Sequence, residues 1–517
     1  MTSKAGCESQ WMTLVRSVAR RTRITQAVLL VLLLLASPAV GQPPAAPVPL
    51  PDTPVGRLAR RLVAALNSGE TAVQRSFLAA GLDSVALKEG PDDWLRDFTY
   101  LYAQTGGLDV VQVLPPKTPD ELRFTMRSRR GAYWVRMQTR LSPREPAKLF
   151  GYSYGRVESP DTEKQYEWPQ GPATERALVH EVERQAAHAA ATDQYSGVVL
   201  VAKNGHILFH QAYGLADQAR RLPNRTNTRF NLGSLNKMFT SVAIAQLVQA
   251  GKLSFQDTLA NVLPNYPNQA TARKITIHQL LTHTAGLGDI FKREYFQNPA
   301  QYRTLASYLP LFANDSLGFR PGEGWAYSNA GFLVLGLIIE KVSGQTYFDY
   351  VREHIFKPTG MSGAHSFERD AAGSNRAISY QRPPVFDPLH VQPRQPNTQT
   401  LAGGGSSAGG GYSTATDLLH FSHALQQHKL LNADLTAAVT SGKVATDRGP
   451  GVQYGYGFFD TALAGRHVVG HGGGAPGLNA DLKMCWPRGY TVIVLSNYDA
   501  PAATRLSQQI MDFLLRQ

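Results

Sequence analysis

The sequence predicts an α+β protein: an antiparallel sheet flanked by helices, a mainly helical lobe, and a smaller α+β unit ahead of both. Runs of two-residue periodicity lie near both ends of residues 175–517. The stretch between them, about 250 residues, has mostly helical periodicity and long loops. Residues 55–158 change from helical to strand periodicity on a smaller scale. Because 517 residues exceed the usual size of one compact domain, we expect two.

Residues 1–41 have the features of a signal peptide. A basic segment, Arg16–Arg23, precedes ten uninterrupted apolar residues, Ala27–Ala36, and Ala39-Val40-Gly41 fits a small-residue cleavage site. Ten helical residues rise about 15 Å, which is half of a hydrocarbon core. We therefore expect a periplasmic or secreted protein, with an uncleaved membrane anchor as the alternative.

The composition is that of a globular protein, with 43% hydrophobic and 18% charged residues. The formal charge is +13, of which residues 1–41 contribute +4, from five basic residues and one acidic residue. We find no dense Lys/Arg run with interleaved aromatic residues, which argues against nucleic-acid binding. Cys485 is the one cysteine after residue 41, so an internal disulfide is not expected in the mature chain.

The first unit is predicted to span residues 55–158, after a Pro/Ala-rich linker at 42–54. Helical spacing of apolar residues comes first, and four strands are then predicted at Leu108–Leu114, Leu122–Ser128, Ala132–Leu141 and Lys148–Glu158. Helices followed by a curled sheet resemble the NTF2-like fold in the order of their elements. Without a cluster of Asp, His or Ser, this unit is expected to serve for packing or binding. The polar segment 159–174, with three prolines, is predicted to be the interdomain linker.

The second domain, residues 175–517, has predicted strands near both of its ends. A helix (Glu175–Ala191) precedes a hairpin that turns at Asn204-Gly205, a dipeptide suited to a type I′ turn. Later strands at His467–Gly470, Asn479–Trp486 and Tyr490–Asn497 precede a closing helix, Ala502–Leu515. Strands from both ends would form one antiparallel sheet, with the terminal helices on one face and the helical residues as a separate lobe. A cleft between lobes is a common place for an active site.

The stretch "NLGSLNKMFTS" places Ser234 before an apolar helix and Lys237 three residues later. Residues three apart share a helix face, and the N-terminus of a helix favours developing negative charge. A serine hydroxyl becomes a nucleophile when a neighbour takes its proton, and a desolvated lysine can do so. A capping serine followed by a solvated lysine fits this short pattern equally well.

A second pattern is Tyr327-Ser328-Asn329, which follows Pro321-Gly322 and precedes an apolar helix predicted at 330–342. Tyr327 and Asn329 are two residues apart on a tight loop, so both can point into a cleft. A phenol can shuttle protons, and an amide can bind a substrate carbonyl or a lysine.

A third pattern is "VVGHGGGAPG", in which His471-Gly472-Gly473 end a short run of strand periodicity. Glycines let a strand approach a ligand closely. The N–H groups of Gly474 and Ser234 could together form an oxyanion hole. His471 could donate a hydrogen bond nearby, although an ordinary glycine-rich turn with a surface histidine is the alternative.

Together these motifs resemble the serine β-lactamase and penicillin-binding-protein superfamily. The closer resemblance is to its class C β-lactamase, D-aminopeptidase and esterase branch, which has Tyr in the second motif and allows His-x-Gly in the third. Flanking stretches match as well: "ITIHQLLTHTAGL", "PGEGWAYSNAGF", "IFKPTGM" and "GGGYSTATDL". The resemblance covers about Asp193 to Gln517 and implies a β-lactamase/transpeptidase-like fold for this part of the chain.

The resemblance implies a role for each matched residue. Ser234 would be the acylated nucleophile, and Lys237 would lower its proton affinity. Tyr327 would be the base for acylation and the proton donor to the leaving group, while Asn329 would position the substrate and the lysine. Substrate would also lie against Gly473 and against His471, which stands where many relatives have a lysine. A neutral histidine holds anions poorly, which favours esters or peptide amides over β-lactams.

The expected function is that of an exported serine hydrolase that works through an acyl-enzyme, without metal or organic cofactor. We expect a monomer that takes a small-molecule or peptide substrate and contacts a membrane only if the signal stays uncleaved. The choice among β-lactam, D-alanyl peptide and ester, and between hydrolysis and transpeptidation, stays open. The alternative is a catalytically lapsed cell-envelope protein that binds peptides or regulates on the same scaffold. His283 is expected to pack or to bond a loop, and Gly403–Gly411 to form a loop near the site.

Overall fold

The computed structural model describes residues 47–517 except 89–90, 132, 172, 366–374, 384–388, 391, 398 and 403. The predicted signal peptide, 1–41, lies outside the described residues. The chain divides into two compact units: the first extends to Gln165 and includes Leu389 and His390, and the second holds the rest of the chain from Tyr166 onward. Within the described ranges, no helix is both long and apolar enough to cross a membrane.

The first unit consists of helices followed by a four-stranded antiparallel sheet in the order β1-β2-β3-β4. Its helices are α1 (Pro54–Ser68), α2 (Thr71–Gly81), α3 (Ser84–Lys88), α4 (Pro91–Thr105) and α5 (Pro160–Gln165), and its strands are β1 (Leu108–Leu114), β2 (Glu121–Ser128), β3 (Trp134–Leu141) and β4 (Leu149–Val157). The apolar stripe of α1, which includes Leu58 and Leu62, packs in one core with Phe124 and Met137 of the sheet.

The segment 159–174, expected to be a linker, contains the short helix α5. The Ser159 hydroxyl accepts a hydrogen bond from the backbone N–H of Thr162 at 3.0 Å, and Pro160 and Asp161 occupy the first turn. A serine cap, an N-terminal proline and an early acidic residue all favour a helix start. The segment is therefore not irregular throughout.

The second unit is built on an eight-stranded antiparallel sheet in the order β13-β14-β15-β16-β17-β18-β5-β6. The strands of this sheet are β5 (Gly197–Lys203), β6 (His206–Tyr213), β13 (Val444–Ala445), β14 (Val452–Tyr454), β15 (Phe459–Leu463), β16 (Arg466–Ala475), β17 (Leu478–Cys485) and β18 (Tyr490–Ser496). Three short two-stranded pairs lie elsewhere among the described residues of the unit: β7 (Leu215–Asp217) with β8 (Leu222–Pro223), β9 (Phe230–Asn231) with β12 (Tyr412–Ser413), and β10 (Tyr380–Gln381) with β11 (Gln395–Pro396). Because β18 pairs with β5, strands from both ends of the domain join one sheet, as predicted. Asn204 and Gly205 both have positive φ, 51° and 80°, as a type I′ turn requires.

Helices cover both faces of this sheet. They are α6 (Glu175–Ala191), α7 (Asn236–Gln249), α8 (Leu259–Val262), α9 (Gln269–Ala272), α10 (Ile277–Leu281), α11 (Arg293–Gln297), α12 (Asn329–Ser343), α13 (Tyr347–Val351), α14 (Lys357–Thr359), α15 (Ala415–Gln426), α16 (Ala433–Thr440) and α17 (Ala502–Leu515). The terminal helices α6 and α17 share one core with Val199 and Val492 of the sheet, as predicted. On the opposite face, α7 is buried almost all round, and its apolar residues pack in a core with Leu482 and Ile493.

Candidate active site

Ser234 lies in a single 3-10 turn, Gly233–Leu235, immediately before α7. Gly233 has φ +50°, in the left-handed region that favours glycine, and its N–H donates to Asn231 Oδ1 at 2.9 Å. The pairing of β9 with β12 holds the chain that enters this turn. Ser234 is half-buried, so its hydroxyl lies at the edge of the core and not inside it.

Lys237 is completely buried beneath Ser234. Its Nζ donates to Ser234 Oγ at 3.2 Å, to Asn329 Oδ1 at 2.7 Å and to the carbonyl of Ala408 at 2.6 Å. Burial lowers the pKa of Lys237 to about 7, and the carboxylate of Asp289 acts in the opposite direction. A substantial fraction of Lys237 is therefore a neutral amine at neutral pH.

Tyr327 and Asn329 stand on either side of the residue that caps α12. The Ser328 hydroxyl accepts from the N–H of Gly331 at 3.1 Å and donates to the carbonyl of Gly288 at 2.7 Å. The Tyr327 ring centroid lies 4.8 Å from Lys237 Nζ. Burial raises the pKa of Tyr327 above its usual value, although a hydrogen bond with Ser234 acts the other way. The phenol is therefore protonated at neutral pH.

Asp289 is a site residue that the sequence analysis missed. Asn329 Nδ2 donates to both of its carboxylate oxygens, at 3.1 and 3.0 Å. Since a carboxylate accepts and the Lys237 amine donates here, the two partners orient the Asn329 amide between them. The one signal was position: Asp289 follows the quoted stretch "ITIHQLLTHTAGL" by two residues.

His283 supports the loop that carries Tyr327. It has φ +60°, and its Nδ1 accepts a hydrogen bond from the N–H of Ser328 at 3.1 Å. Its ring centroid lies 4.3 Å from that of Tyr327 and 4.6 Å from that of Tyr454. Burial holds the pKa of His283 well below its usual value, so the ring is neutral. These contacts agree with the packing and hydrogen-bonding role expected for it.

The glycines of β16 lie directly against the Ser234 turn. A Cβ on Gly473 would lie 2.0 Å from the carbonyl oxygen of Leu232 and 2.9 Å from the backbone nitrogen of Ser234. A Cβ on Gly233 would lie 3.0 Å from the backbone nitrogen of Gly474. Only glycine permits this approach, which brings the backbone nitrogens of Ser234 and Gly474 into the same small region.

His471 is 3% exposed and lies inside the sheet, with both ring nitrogens engaged. Its Nδ1 donates to the Gly472 carbonyl at 2.5 Å, so its Nε2 accepts from the Tyr454 hydroxyl at 3.0 Å. Burial lowers the pKa of His471 to about 3. This histidine is neutral and bonded within the protein, and it presents no positive charge to a ligand.

Arg448 brings a cation to the site, and the sequence analysis missed it. Its guanidinium lies 5.5 Å from the ring centroid of Tyr327 and 5.1 Å from that of Phe459. The residue is exposed and comes from a turn, "TDRGPG", that carries no recognisable motif.

The glycine-rich loop expected near the site is there, in residues 404–411 of the described chain. Ala408 supplies the carbonyl that accepts from Lys237. A Cβ on Gly409 would lie 3.0 Å from the carbonyl oxygen of Gly233, so the loop packs against the Ser234 turn.

Two open cavities meet at Ser234, Tyr327 and Gly474. The first, about 610 Å³, includes Arg448 and Asp481, and we call it the polar cavity. The second, about 560 Å³, we call the aromatic cleft; its lining includes the rings of Phe291, Tyr295, Phe296 and Tyr308. Both volumes fall in the range of small-molecule sites. Among the described residues, no group of three or more His, Cys, Asp or Glu side chains is placed to hold a metal ion.

A family model and a curated relative both match this chain and point to the same family. The family model described as Beta-lactamase matches residues 180–514. Penicillin-binding protein 4* of Bacillus subtilis (strain 168) is 32% identical over 316 residues, which cover 59% of this chain and 68% of that protein.

Solved structures agree. A penicillin-binding protein from Bacillus halodurans is 31% identical with a TM-score of 0.56, over 66% of this chain and 98% of that one. A D-stereospecific amidohydrolase from Streptomyces sp. is 25% identical with a TM-score of 0.53, over 63% and 97%.

The fold and the comparisons place residues 180–514 in the β-lactamase and penicillin-binding-protein superfamily, whose members are serine hydrolases. The chain belongs to the Beta-lactamase family.

Proposed function

We propose that this chain is an exported serine hydrolase that forms an acyl-enzyme at Ser234 with ester or peptide-amide substrates. The observation that carries the proposal is the 3.2 Å hydrogen bond between Ser234 Oγ and a buried lysine amine whose pKa is lowered to about 7, where two cavities meet. Similarity to a D-stereospecific amidohydrolase supports amides among the substrates.

The first step transfers the Ser234 hydroxyl proton to the neutral amine of Lys237 as Oγ attacks the substrate carbonyl carbon. The lowered pKa of Lys237 and the raised pKa of Tyr327 support the amine as proton acceptor. This assignment differs from the expectation that Tyr327 is the base, because burial disfavours its phenolate. The backbone N–H groups of Ser234 and Gly474 hold the oxyanion.

The second step breaks the bond to the leaving group. The phenol of Tyr327 donates its proton to the departing oxygen or nitrogen and regains one from the Lys237 ammonium. Water then attacks the acyl carbonyl, its proton passes back through the same groups to Ser234 Oγ, and the carboxylic acid product leaves. Asn329, held by Asp289, keeps Lys237 in place through its 2.7 Å hydrogen bond.

The position of Arg448 supports leaving groups that bear a carboxylate, such as the C-terminal residue of a peptide. Its guanidinium lies at the polar cavity beside Tyr327, the proposed proton donor. Arginine binds carboxylates through paired hydrogen bonds, whereas the neutral His471 cannot attract them.

Covalent labelling tests the nucleophile. A fluorophosphonate probe should add its phosphonyl mass to the Ser234 peptide of the parent chain, and Ser234→Ala should take up no label. Ser254→Ala, which changes an exposed serine in the same unit, is the matched control and should take up the label as the parent does. If a fluorophosphonate and a penicillin-type probe both leave the parent mass unchanged, the function is wrong and a lapsed binding protein is favoured.

Export is a separate part of the proposal and rests on the basic and apolar segments within residues 1–41. Expression in a bacterial host should yield a periplasmic or secreted chain that begins at Gln42, as measured by intact mass. A full-length chain in the membrane fraction would favour the uncleaved anchor.

A further inference from the structure

The two cavities at Ser234 differ in chemistry. The polar cavity is lined by Arg448, Asp481 and Asp499, among others. Six aromatic residues line the aromatic cleft, among them Phe291 and Phe296, together with Ile290 and Leu478. A substrate whose carbonyl lies at Ser234 would therefore meet charged groups on one side and apolar rings on the other.

The rings of the aromatic cleft form a continuous stack that begins in the core. Tyr308 stacks on Tyr302 with ring centroids 4.9 Å apart, and Tyr302 stacks on Tyr295 at 5.3 Å. All three are buried. The ring of Phe296 then meets Tyr295 edge to face at 5.2 Å, so a buried tyrosine holds it at the mouth of the cleft.

Two phenylalanines of the aromatic cleft are exposed to solvent. Phe291 and Phe296 are each 53% exposed, with ring centroids 6.0 Å apart. Exposed apolar area of this kind costs free energy, and when it borders a cavity it marks a binding surface. Asp289, which orients Asn329, precedes Phe291 by two residues, and Phe296 follows in α11, so the rings of the aromatic cleft are joined through a short segment to the proposed catalytic groups.

We propose that the aromatic cleft binds the acyl part of the substrate, and that the enzyme prefers acyl groups that end in a phenyl ring or a comparable apolar group. This inference rests on the proposed acyl-enzyme function. The orientation of the substrate follows from charge and proton transfer. Arg448 lies beside Tyr327, the proposed proton donor, at the polar cavity, so the leaving group occupies the polar cavity and the acyl group occupies the aromatic cleft. Asn329, which holds Lys237, also lines the cleft.

Two nitrophenyl esters with the same leaving group test the inference. The parent should hydrolyse nitrophenyl phenylacetate with a kcat/KM roughly ten-fold or more above that for nitrophenyl acetate, since a buried ring adds apolar contact. Phe291→Ala and Phe296→Ala should each reduce this ratio, because each removes apolar contact with the phenyl ring of the substrate. Phe150→Ala is the matched control, because Phe150 is similarly exposed (49%) but belongs to the first unit.

The rate of deacylation shows whether the aromatic cleft binds the acyl group or the leaving group. Once nitrophenol has left, the acyl group alone remains on Ser234, so Phe296→Ala should change the breakdown rate of the phenylacetyl-enzyme and not that of the acetyl-enzyme. A variant that alters acylation but leaves both breakdown rates unchanged would place the leaving group in the cleft and overturn the proposal.

The remaining outcomes distinguish this inference from the proposed function. Equal use of both esters by the parent, with Ser234 acylated, overturns the cleft assignment and leaves the hydrolase standing. If neither ester acylates Ser234, the proposed function is wrong. The cleft is then tested by calorimetry with phenylacetamide: weaker binding to Phe296→Ala than to the parent supports it, and equal or absent binding overturns it.

Discussion

The protonation state of Lys237 determines which group can take the proton of Ser234. The side chain has no exposed surface and has three acceptors within 3.2 Å, and burial is the largest cause of its lowered pKa. The same burial raises the pKa of Tyr327. One desolvated pocket thus makes the amine the available base at neutral pH and keeps the phenol as an acid.

The pH dependence of acylation follows from this assignment. Below about pH 7 the amine is protonated and cannot accept a proton, so kcat/KM for a neutral ester should fall roughly ten-fold per pH unit there and reach a plateau above it. Stopped-flow kinetics across the range measures it. Lys237→Arg, which stays protonated, should be inactive at every pH. A parent profile that stays flat through this region would contradict the amine as base.

Asp289→Asn should move the acidic limb of that profile to lower pH. The carboxylate of Asp289 raises the pKa of Lys237, so its removal lets burial lower the pKa further. The plateau rate should also fall, on the order of ten-fold, because Asn329 loses a charged acceptor worth about 1.5–3 kcal/mol. Glu323→Gln, which neutralises an exposed carboxylate, is the control, and its pH profile should keep the acidic limb and the plateau rate of the parent. An unshifted limb in Asp289→Asn would contradict the electrostatic coupling.

At the scale of elements, the site depends on how closely a strand approaches a turn. β16 lies against the turn Gly233–Leu235 with no room for a Cβ at Gly473. The loop before α12 is held separately by its serine cap and by His283. Each contact has a backbone atom on at least one side, so a small displacement of the strand or loop would move the functional group that it carries.

Gly473→Ala should separate β16 from the Ser234 turn and weaken the proposed oxyanion hole. Removing one oxyanion donor costs about 10²–10³-fold in kcat, and a loss of that order is expected here. Gly155→Ala is the control, since a Cβ there has no neighbour within 4 Å. Circular dichroism should show both variants folded, and an active, folded Gly473→Ala would contradict the strand's role.

His283→Leu should destabilise the loop of Tyr327. The substitution leaves the N–H of Ser328 without its acceptor in a buried position, which costs about 1–3 kcal/mol of unfolding free energy. Denaturant unfolding measures the loss. Activity should fall as well, because the His283 ring packs on Tyr327. His180→Leu, in helix α6, is the comparison, and a similar small effect from both would argue against a supporting role for His283.

At the scale of the whole molecule, the chain holds two units with separate cores. Every residue assigned above to the proposed chemistry lies in the second unit, in 166–387 or 391–517. The apolar core of that unit includes α7, α12 and strands from both ends of the domain. The second unit therefore contains the residues that the proposed acylation requires.

A chain that begins at Tyr166 should fold and acylate Ser234 at a rate close to that of the mature protein. Thermal unfolding and fluorophosphonate labelling measure the two properties. Ser234→Ala in the same shortened chain is the control for labelling. A folded but unlabelled shortened chain would show that the first unit takes part in the chemistry.

Sequence patterns located the groups that lie close together along the chain. Ser234 and Lys237 share one turn, and Tyr327 and Asn329 flank one helix cap, so spacing alone predicted their common direction. Asp289 escaped prediction because its partner is 40 residues away and lies on another element. The Ala408 carbonyl, 171 residues from Lys237, belongs to a backbone atom that carries no sequence signal.

The sequence by itself determined the class of fold through local periodicity, and the resemblance of its motifs to a known superfamily indicated the family and the four side chains of the Ser-x-x-Lys and Tyr-x-Asn motifs. Only the tertiary structure decided their protonation and their surroundings. Burial from distant elements lowers the pKa values of Lys237 and His471. Packing of separate loops brings Arg448 to one side of Ser234 and an aromatic wall to the other. Desolvation and cavity shape arise from the whole fold, and no single stretch of sequence specifies them.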